Sequence, residues 1–301
     1  MINSKIARLP ALTPMVQLHV SVLLLGVSGI FAKLINLAAL DIIAYRSLFT
    51  VIALGAFLAS TRSQLKLRSI KDYSIAVTLG VLAALHWLTY FISIQKTSVA
   101  VGMIALFTYP VMTVVIEPLL RKRLPRRKDI LLSLVVLFGV SLLFPNLWFK
   151  TSVINGEFTL GIVFGLISAL CFALRNIGIQ HYFKEYSARQ GMFYQFGIAA
   201  LMLMPFSGTA LPELGWYNIQ LLIIFAIFFS AMAHVLFSGA ISMTSAKTAG
   251  LVACLQPLYG IILSLIILAE VPTWTTLVGG AIILSTAIFE TTQGSKQLKR
   301  G

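Results

Sequence analysis

Negative charge is what this sequence has least of. Of 301 residues only 9 are acidic and 11% are charged, against about 25% in an ordinary soluble domain. With 58% hydrophobic residues and a mean hydropathy of +0.94, a water-soluble globule is excluded. Cysteine is scarce too: Cys171 and Cys254 both lie in apolar runs, which excludes a disulfide framework and gives no metal site. The patterns CxxC, HExxH, GxSxG and GxxxxGK[ST] are absent, which argues against a pump with its own nucleotide site. No acids or histidines cluster at one interface, which argues against a membrane-embedded enzyme, so no catalytic residue, metal or cofactor is expected. The 23 basic residues give a formal charge of +14. No basic stretch stands apart from the apolar ones, so this excess is not a nucleic-acid surface. The expected partners are a small-molecule substrate and membrane lipid, with the chain a monomer or homodimer.

What the sequence has in abundance is long apolar runs. A bilayer core needs about 20 apolar residues per helix, and ten segments of that size can be marked: 15–35, 41–60, 73–94, 98–120, 128–146, 158–181, 189–207, 217–239, 246–269 and 273–291. They leave no room for a soluble domain. Lys5 and Arg8 would suit the start of a signal peptide, but the run from Met15 has no small-residue cleavage site before Lys33 and reads as an uncleaved first span. Ten spans put both termini on one side. Sorted by connection, 18 of the 23 basic residues fall on that side and only Lys96 and Lys150 on the other. By the positive-inside rule both termini are cytoplasmic, in what is expected to be a bacterial inner membrane. Lys33, Arg46 and Arg175 remain, in or at the edge of spans.

The two halves resemble each other. Thr97-Ser98, Pro110 and Leu124-Pro125 are matched by Thr244-Ser245, Pro257 and Val271-Pro272 at one offset of 147 residues. One residue of slip aligns His86 with His234 and Gly102 with Gly250, and Phe31-Ala32-Lys33 loosely matches the stretch from Phe172 to Arg175. Five spans per half, an odd number, would insert the second half upside down. Inverted repeats of this kind mark secondary transporters with a midplane site between the halves. The expected fold is an all-α polytopic membrane protein of ten transmembrane helices, as two inverted five-helix repeats over residues 1–147 and 148–301.

Residues in this order and spacing resemble the drug/metabolite transporter superfamily, EamA type. They are the stretch from Asp41 to Arg46 opening the second span, Thr97 to Gly102 followed by Tyr109-Pro110, Ser245 to Gly250 followed by Gln256-Pro257, and Leu268-Ala269-Glu270-Val271-Pro272 followed by Gly279-Gly280. The first half departs from the pattern at Arg123, where a glutamate is usual. The resemblance implies a carrier of small metabolites, among which amino acids, drugs, nucleotides and vitamins all occur, and a cavity lined by spans 1–4 and 6–9. Spans 5 and 10, least polar in their middles, suit a supporting or dimer-contact place.

Candidate substrate-binding residues are the polar ones at bilayer depth, where polarity is costly. Arg175 lies halfway along span six beside Asn176, too deep to reach either surface; it suits a carboxylate or phosphate, or else a structural pairing with a buried acid. Arg46 is a candidate whose rival reading is pairing with Asp41 or reaching the outer surface. Lys33 is a third candidate near the outer interface. His86 and His234 suit substrate or proton contact, or else a bond to a neighbouring backbone. His86 and Tyr90 share one helix face, whereas Trp87 and Phe91 fit a lipid-facing place. Gln195 is a further candidate, and Tyr109 and Gln256, each directly before a proline, form a symmetric pair. Pro110 and Pro257 sit mid-span, where a helix-interior proline frees a carbonyl and permits a hinge. Glu117 is expected in a local ion pair with the basic connection, and Glu270 is expected to cap the turn into span ten. The expected function is secondary transport of a small metabolite, an amino acid or related compound, in the direction of export; a lipid or lipid-linked-sugar flippase is the rival reading.

Overall fold

The computed structural model describes residues 13–61, 63–125, 127–142, 156–183, 185–243 and 252–297. The motif from Thr244-Ser245 to Gly250 and the basic residues Lys5, Arg8, Arg62, Arg126, Lys150, Lys184, Lys247, Lys299 and Arg300 lie outside them. Each of the ten apolar segments contains helix where it is described. We number the helices α1 (Pro14–Leu34), α2 (Ala39–Ser60), α3 (Ile70–Lys96), α4 (Val99–Leu120), α5 (Arg127–Ser141), α6 (Gly156–Phe183), α7 (Ala188–Leu203), α8 (216–243), α9 (Gln256–Leu268) and α10 (Trp274–Gln297). Among the described residues there is no strand. Five of these, α1 to α4 and α6, together with the stretch Trp216–Phe237 of α8, are long and apolar enough to cross a membrane; α5, α9 and α10 hold shorter apolar helices.

Helices are what such runs must form in an apolar medium, because a helix satisfies its own backbone. Where the runs end, side chains take over the orphan amides. Ser69 and Asp72 form a reciprocal capping box at the start of α3, Ser98 accepts from the Val101 amide to start α4, and Ser187 accepts from the Gln190 amide to start α7.

Polar side chains gather at the two ends of the bundle. At one end Asp41, buried at the start of α2, accepts from Ser207 Oγ (2.8 Å), the Gly208 amide (2.9 Å) and Thr209 Oγ1 (2.8 Å), which anchors the α7–α8 connection. The Gln95 side chain staples the α1–α2 connection by donating to the carbonyls of Ala32 and Leu37 and accepting from the Ala39 amide. Lys33 lies 3.7 Å from Glu270, and Lys96 pairs with Glu157. At the other end Arg68 pairs with Glu185, the Tyr186 hydroxyl donates to Asp72, and the side chains of Gln190 and Tyr194 donate to the Leu65 carbonyl. Glu117 does pair locally, with Arg121 at 3.0 Å, and also meets His181. Glu270 differs from its expected role: it caps α4 instead of the turn into α10, accepting from the Val99 amide at 2.9 Å.

Between these ends the interior is aromatic and aliphatic, with Phe91, Phe196 and Phe225 fully buried, while leucines and isoleucines such as Leu131, Leu137 and Ile266 face outward, as lipid contact requires. Helices approach closely where a side chain is missing. A Cβ on Gly165 of α6 would meet Ala105 Cβ at 2.7 Å and Ser93 Oγ at 2.8 Å, and one on Gly26 of α1 would meet the Gln256 carbonyl oxygen at 2.9 Å and Tyr259 Cβ at 3.1 Å. Backbone cannot move aside as a side-chain tip can. We therefore expect Gly26→Val to destabilise the detergent-solubilised protein by about 1–3 kcal/mol, as overpacking does. Gly208→Ala, with open space at its Cβ, should leave thermal unfolding unchanged. Equal melting curves for the two variants would refute the close α1–α9 contact.

Candidate functional site

A cavity of about 470 Å³ lies inside the bundle, within the usual range of small-molecule sites. It is lined from α1 to α4, α6 to α8 and the start of α9; no described residue of α5 or α10 reaches it. Nine of the ten candidate substrate-binding residues line it: Arg46, His86, Tyr90, Tyr109, Arg175, Asn176, Gln195, His234 and Gln256. Lys33 does not. Its ammonium donates to the Thr97 carbonyl at 3.1 Å and lies against Glu270 at the bundle end, where an ion pair answers its charge.

The helices that line the cavity are irregular where they do so. α1 tightens to a 3₁₀ turn at Ser28–Ile30. α4 breaks at Phe107 and Thr108 between Val99–Leu106 and Tyr109–Leu120. α6 ends in a π-helical stretch, Ile179–Phe183. α8 runs as Trp216–Ile224, then a π-helical Phe225–Met232, then Ala233–Met243. Backbone of this kind at membrane depth is tolerated where it is buried in protein or lines a cavity. Pro110 and Pro257 differ from their expected place. Each sits in the first turn of a helical piece, Tyr109–Leu120 and Gln256–Leu268, where no amide is required of it. The break comes two or three residues earlier, and neither ring lines the cavity. Tyr109 and Gln256, the residues before the prolines, are the ones that face it.

The arginines dominate the chemistry. Arg46 and Arg175 are 3% and 5% exposed, and among the described residues neither has an acidic partner. Arg46 does not pair with Asp41, whose oxygens are taken up by the α7–α8 connection. Its Nε donates to Ser230 Oγ at 2.7 Å, in the π-helical stretch of α8. Its guanidinium carbon lies 4.6 Å from the ring centre of Phe225, 4.8 Å from that of Trp87 and 5.3 Å from that of Phe196, so three aromatic faces share the charge. Arg175 repeats the pattern: Nε donates to Gln195 Oε1, and the guanidinium carbon lies 5.5 Å from the Phe172 ring centre. Its Nη1 reaches Asn176 Oδ1 only at 3.5 Å.

The histidines are held by neutral oxygens. Ser168 Oγ donates to the His86 carbonyl at 2.9 Å and so spends its proton. It then accepts from His86 Nδ1 at 2.8 Å, and the Ser168 carbonyl 3.3 Å from the same nitrogen also calls for a donor. That assigns Nδ1–H to His86 and leaves Nε2 as the acceptor of the neutral ring. His234 Nδ1 donates to the Ser230 carbonyl at 2.8 Å. Each histidine lies within electrostatic reach of both arginines. Among the described residues the buried Tyr90 hydroxyl has no hydrogen-bond partner, an unusual state for such a group.

Sequence reasoning missed part of the wall. Trp87 and Phe91 do not face lipid: Trp87 is 5% exposed, stacks on Phe196 at 4.3 Å, and both line the cavity. The lining residues Phe172, Met192 and Tyr186, and Ser230 behind Arg46, carried no signal of their own, being apolar or lying in small-polar or loop positions that recur throughout such a chain. The cavity extends to Tyr186, Ser187 and Ala188 at the Arg68 end. Toward the Lys33 end an aromatic layer crosses the bundle, with Phe31 stacked on Phe225 at 4.6 Å and Phe91 5.6 Å from Phe225.

This geometry coincides with two matches to one family model, the EamA-like transporter family, over residues 13–144 and 159–291. The chain belongs to the EamA-like transporter family. It is an integral membrane protein, a transporter and not an enzyme. Its curated EamA-like relatives include a transporter of Archaeoglobus fulgidus, 27% identical over 69% of this chain and 74% of the relative. Another is from Clostridium kluyveri, 24% identical over 75% and 74%; each is described as an uncharacterized transporter. A solved crystal structure superposes with a TM-score of 0.62, covering 95% of this chain and 98% of that one at 13% identity, a likeness of fold alone.

A cavity with two arginines and no lining carboxylate attracts anions. Trp87, beside Arg46, can report it once Trp148, Trp216 and Trp274 are replaced by Phe. Iodide should then quench Trp87 several-fold better than caesium, and Arg46→Gln should remove most of that excess. Equal quenching by the two ions before the Arg46 change would show that no positive field reaches the cavity.

Proposed function

We propose that this EamA-like protein is a secondary transporter that moves a small metabolite, an amino acid or a related acidic compound, out of a bacterial cell by alternating access. The observation that carries the reading is the convergence of nine polar residues from both halves of the chain on one cavity with two unpaired arginines. The two family matches, one per half, and the 147-residue offset support ten spans in two inverted repeats. The charge sorting supports cytoplasmic termini in the inner membrane. On that orientation the Arg68 end is cytoplasmic, and a cavity that reaches Tyr186 while aromatic rings close its far side corresponds to an inward-facing state. Alternation would open the layer of Phe31, Phe91 and Phe225 and close the Tyr186 side, with the breaks before Pro110 and Pro257 as hinges.

Two experiments test this. Cysteines introduced at Pro125 and Glu213 should react with membrane-impermeant reagent from inside and from outside respectively; the reverse, or one-sided labelling of both, would overturn the ten-span topology. In proteoliposomes loaded with radiolabelled amino acids and organic acids, the protein should release solute, and Arg175→Ala should reduce release about tenfold or more, the loss expected for a charge-assisted contact, with membrane insertion intact. Full-rate release by that variant would refute the role of Arg175. Movement of a labelled lipid with no soluble solute would replace the carrier by a flippase.

A further inference from the structure

Both arginines are held by the same device. Each commits its Nε to a neutral side chain, Ser230 for Arg46 and Gln195 for Arg175, and keeps its Nη1–Nη2 edge without a strong acceptor among the described residues. That two-nitrogen edge matches a carboxylate in bidentate fashion. A carboxylate taken edge-on by one fork leaves the other fork to a second group. The faces of Trp87, Phe196 and Phe225, which alone would form an aromatic cage for a substrate cation, are already occupied by Arg46. Among the described residues no carboxylate lines the cavity to receive a substrate ammonium. The rest of the described wall carries no acid and no further lysine or arginine, with Phe107, Tyr109 and Phe172 beside His86 and His234.

We infer that the cavity selects a solute with two anionic groups, one held end-on by Arg46 and the other by Arg175, with an uncharged body between them, and that it discriminates against cations and against zwitterions with a single carboxylate. The selectivity narrows the carrier reading to its acidic compounds, away from amino acids with a single carboxylate, and rests on that reading only for the movement of the solute, not for its binding.

The test uses the purified full-length protein in nanodiscs, with calorimetric titration at fixed ionic strength. The probes are the aliphatic dicarboxylates from malonate to pimelate, the matching monocarboxylates, glutamate, 4-aminobutyrate and tetraethylammonium. One dicarboxylate length should bind best, about ten- to a hundredfold tighter than its monocarboxylate, the gain expected for a second charge-assisted contact. Glutamate should bind more weakly than glutarate. Arg46→Gln and Arg175→Gln should each bring that dicarboxylate to within about threefold of the monocarboxylate, while Arg→Lys at either position, which keeps the charge and loses the fork, should fall between. The inference is overturned if the monocarboxylate, 4-aminobutyrate or tetraethylammonium binds the unaltered protein as tightly as the best dicarboxylate, a comparison that needs no variant to fold. Proteoliposomes separate the two readings. A dicarboxylate that binds in an arginine-dependent way but is not moved sinks the carrier and leaves the site. A solute of other charge moved equally by the unaltered protein and both Arg→Gln variants sinks the site and leaves the carrier.

Discussion

Two guanidinium groups at the centre of an apolar bundle, with no carboxylate to meet them, are the constraint around which the rest of this structure is arranged. An arginine at mid-membrane costs at least about 2.5 kcal/mol on insertion scales, and a buried charge is tolerated only with compensation. Here the compensation is partial by construction. Each Nε has a hydrogen bond, each guanidinium has at least one aromatic face within 6 Å, and both side chains line a cavity. The few acids are elsewhere: Asp41 holds the α7–α8 connection, Glu270 caps α4 beside Lys33, and Glu117 and Glu185 serve the opposite end. A chain with 9 acidic residues has used those described here at the bundle's ends and spared the centre.

The irregular helices follow from the same requirement. Ser230, which fixes Arg46, lies in the π-helical turn of α8, and the carbonyl of the same residue accepts from His234. That carbonyl also accepts from the backbone amide of Ala233, so one residue serves the helix, His234 and Arg46. The break at Phe107–Thr108 turns Tyr109 toward the wall it shares with Phe172, ring to ring at 4.7 Å. Departures from the regular helix thus sit where a side chain must be aimed inward, and the close contacts at Gly26 and Gly165 hold the neighbouring helices near enough for the cavity to have walls. Rigid packing outside and broken backbone inside is also the division a moving carrier needs.

Much of this was legible in the sequence, and the parts that were not share a cause. Apolar runs and their polar ends located the helices to within a few residues, because span length is set by the bilayer and not by partners. Arg175, His86 and Gln195 stood out because polarity at depth is costly wherever the helix faces. Trp87 and Phe91 did not, since an aromatic ring is equally at home against lipid or against a guanidinium, and only the fold decides. Arg46 was placed too near the surface because Asp41 lies five residues before it, one and a half turns away; in the structure Asp41 is drawn to the far side by the α7–α8 connection. Lys33 carried the same signal of charge near a span and proved to be a bundle-end ion pair, because Glu270 is 237 positions later in the chain. The π-helical stretch of α8 has no proline or glycine to announce it.

The free energy that makes the empty cavity costly is the same free energy that makes it selective. A solute bringing one negative group leaves one guanidinium as it was and gains half of what the site can give. A solute bringing two would compensate both charges at once. A solute bringing a positive group meets aromatic faces already taken by Arg46 and no carboxylate at all. On the proposed reading the substrate is the missing counter-ion, and its binding neutralises the two charges at the centre of the bundle. If the proposed alternating access holds, a neutralised centre is the state in which the layer of Phe31, Phe91 and Phe225 would part on one side while the Tyr186 side closed on the other, without carrying naked charge past a hydrophobic constriction.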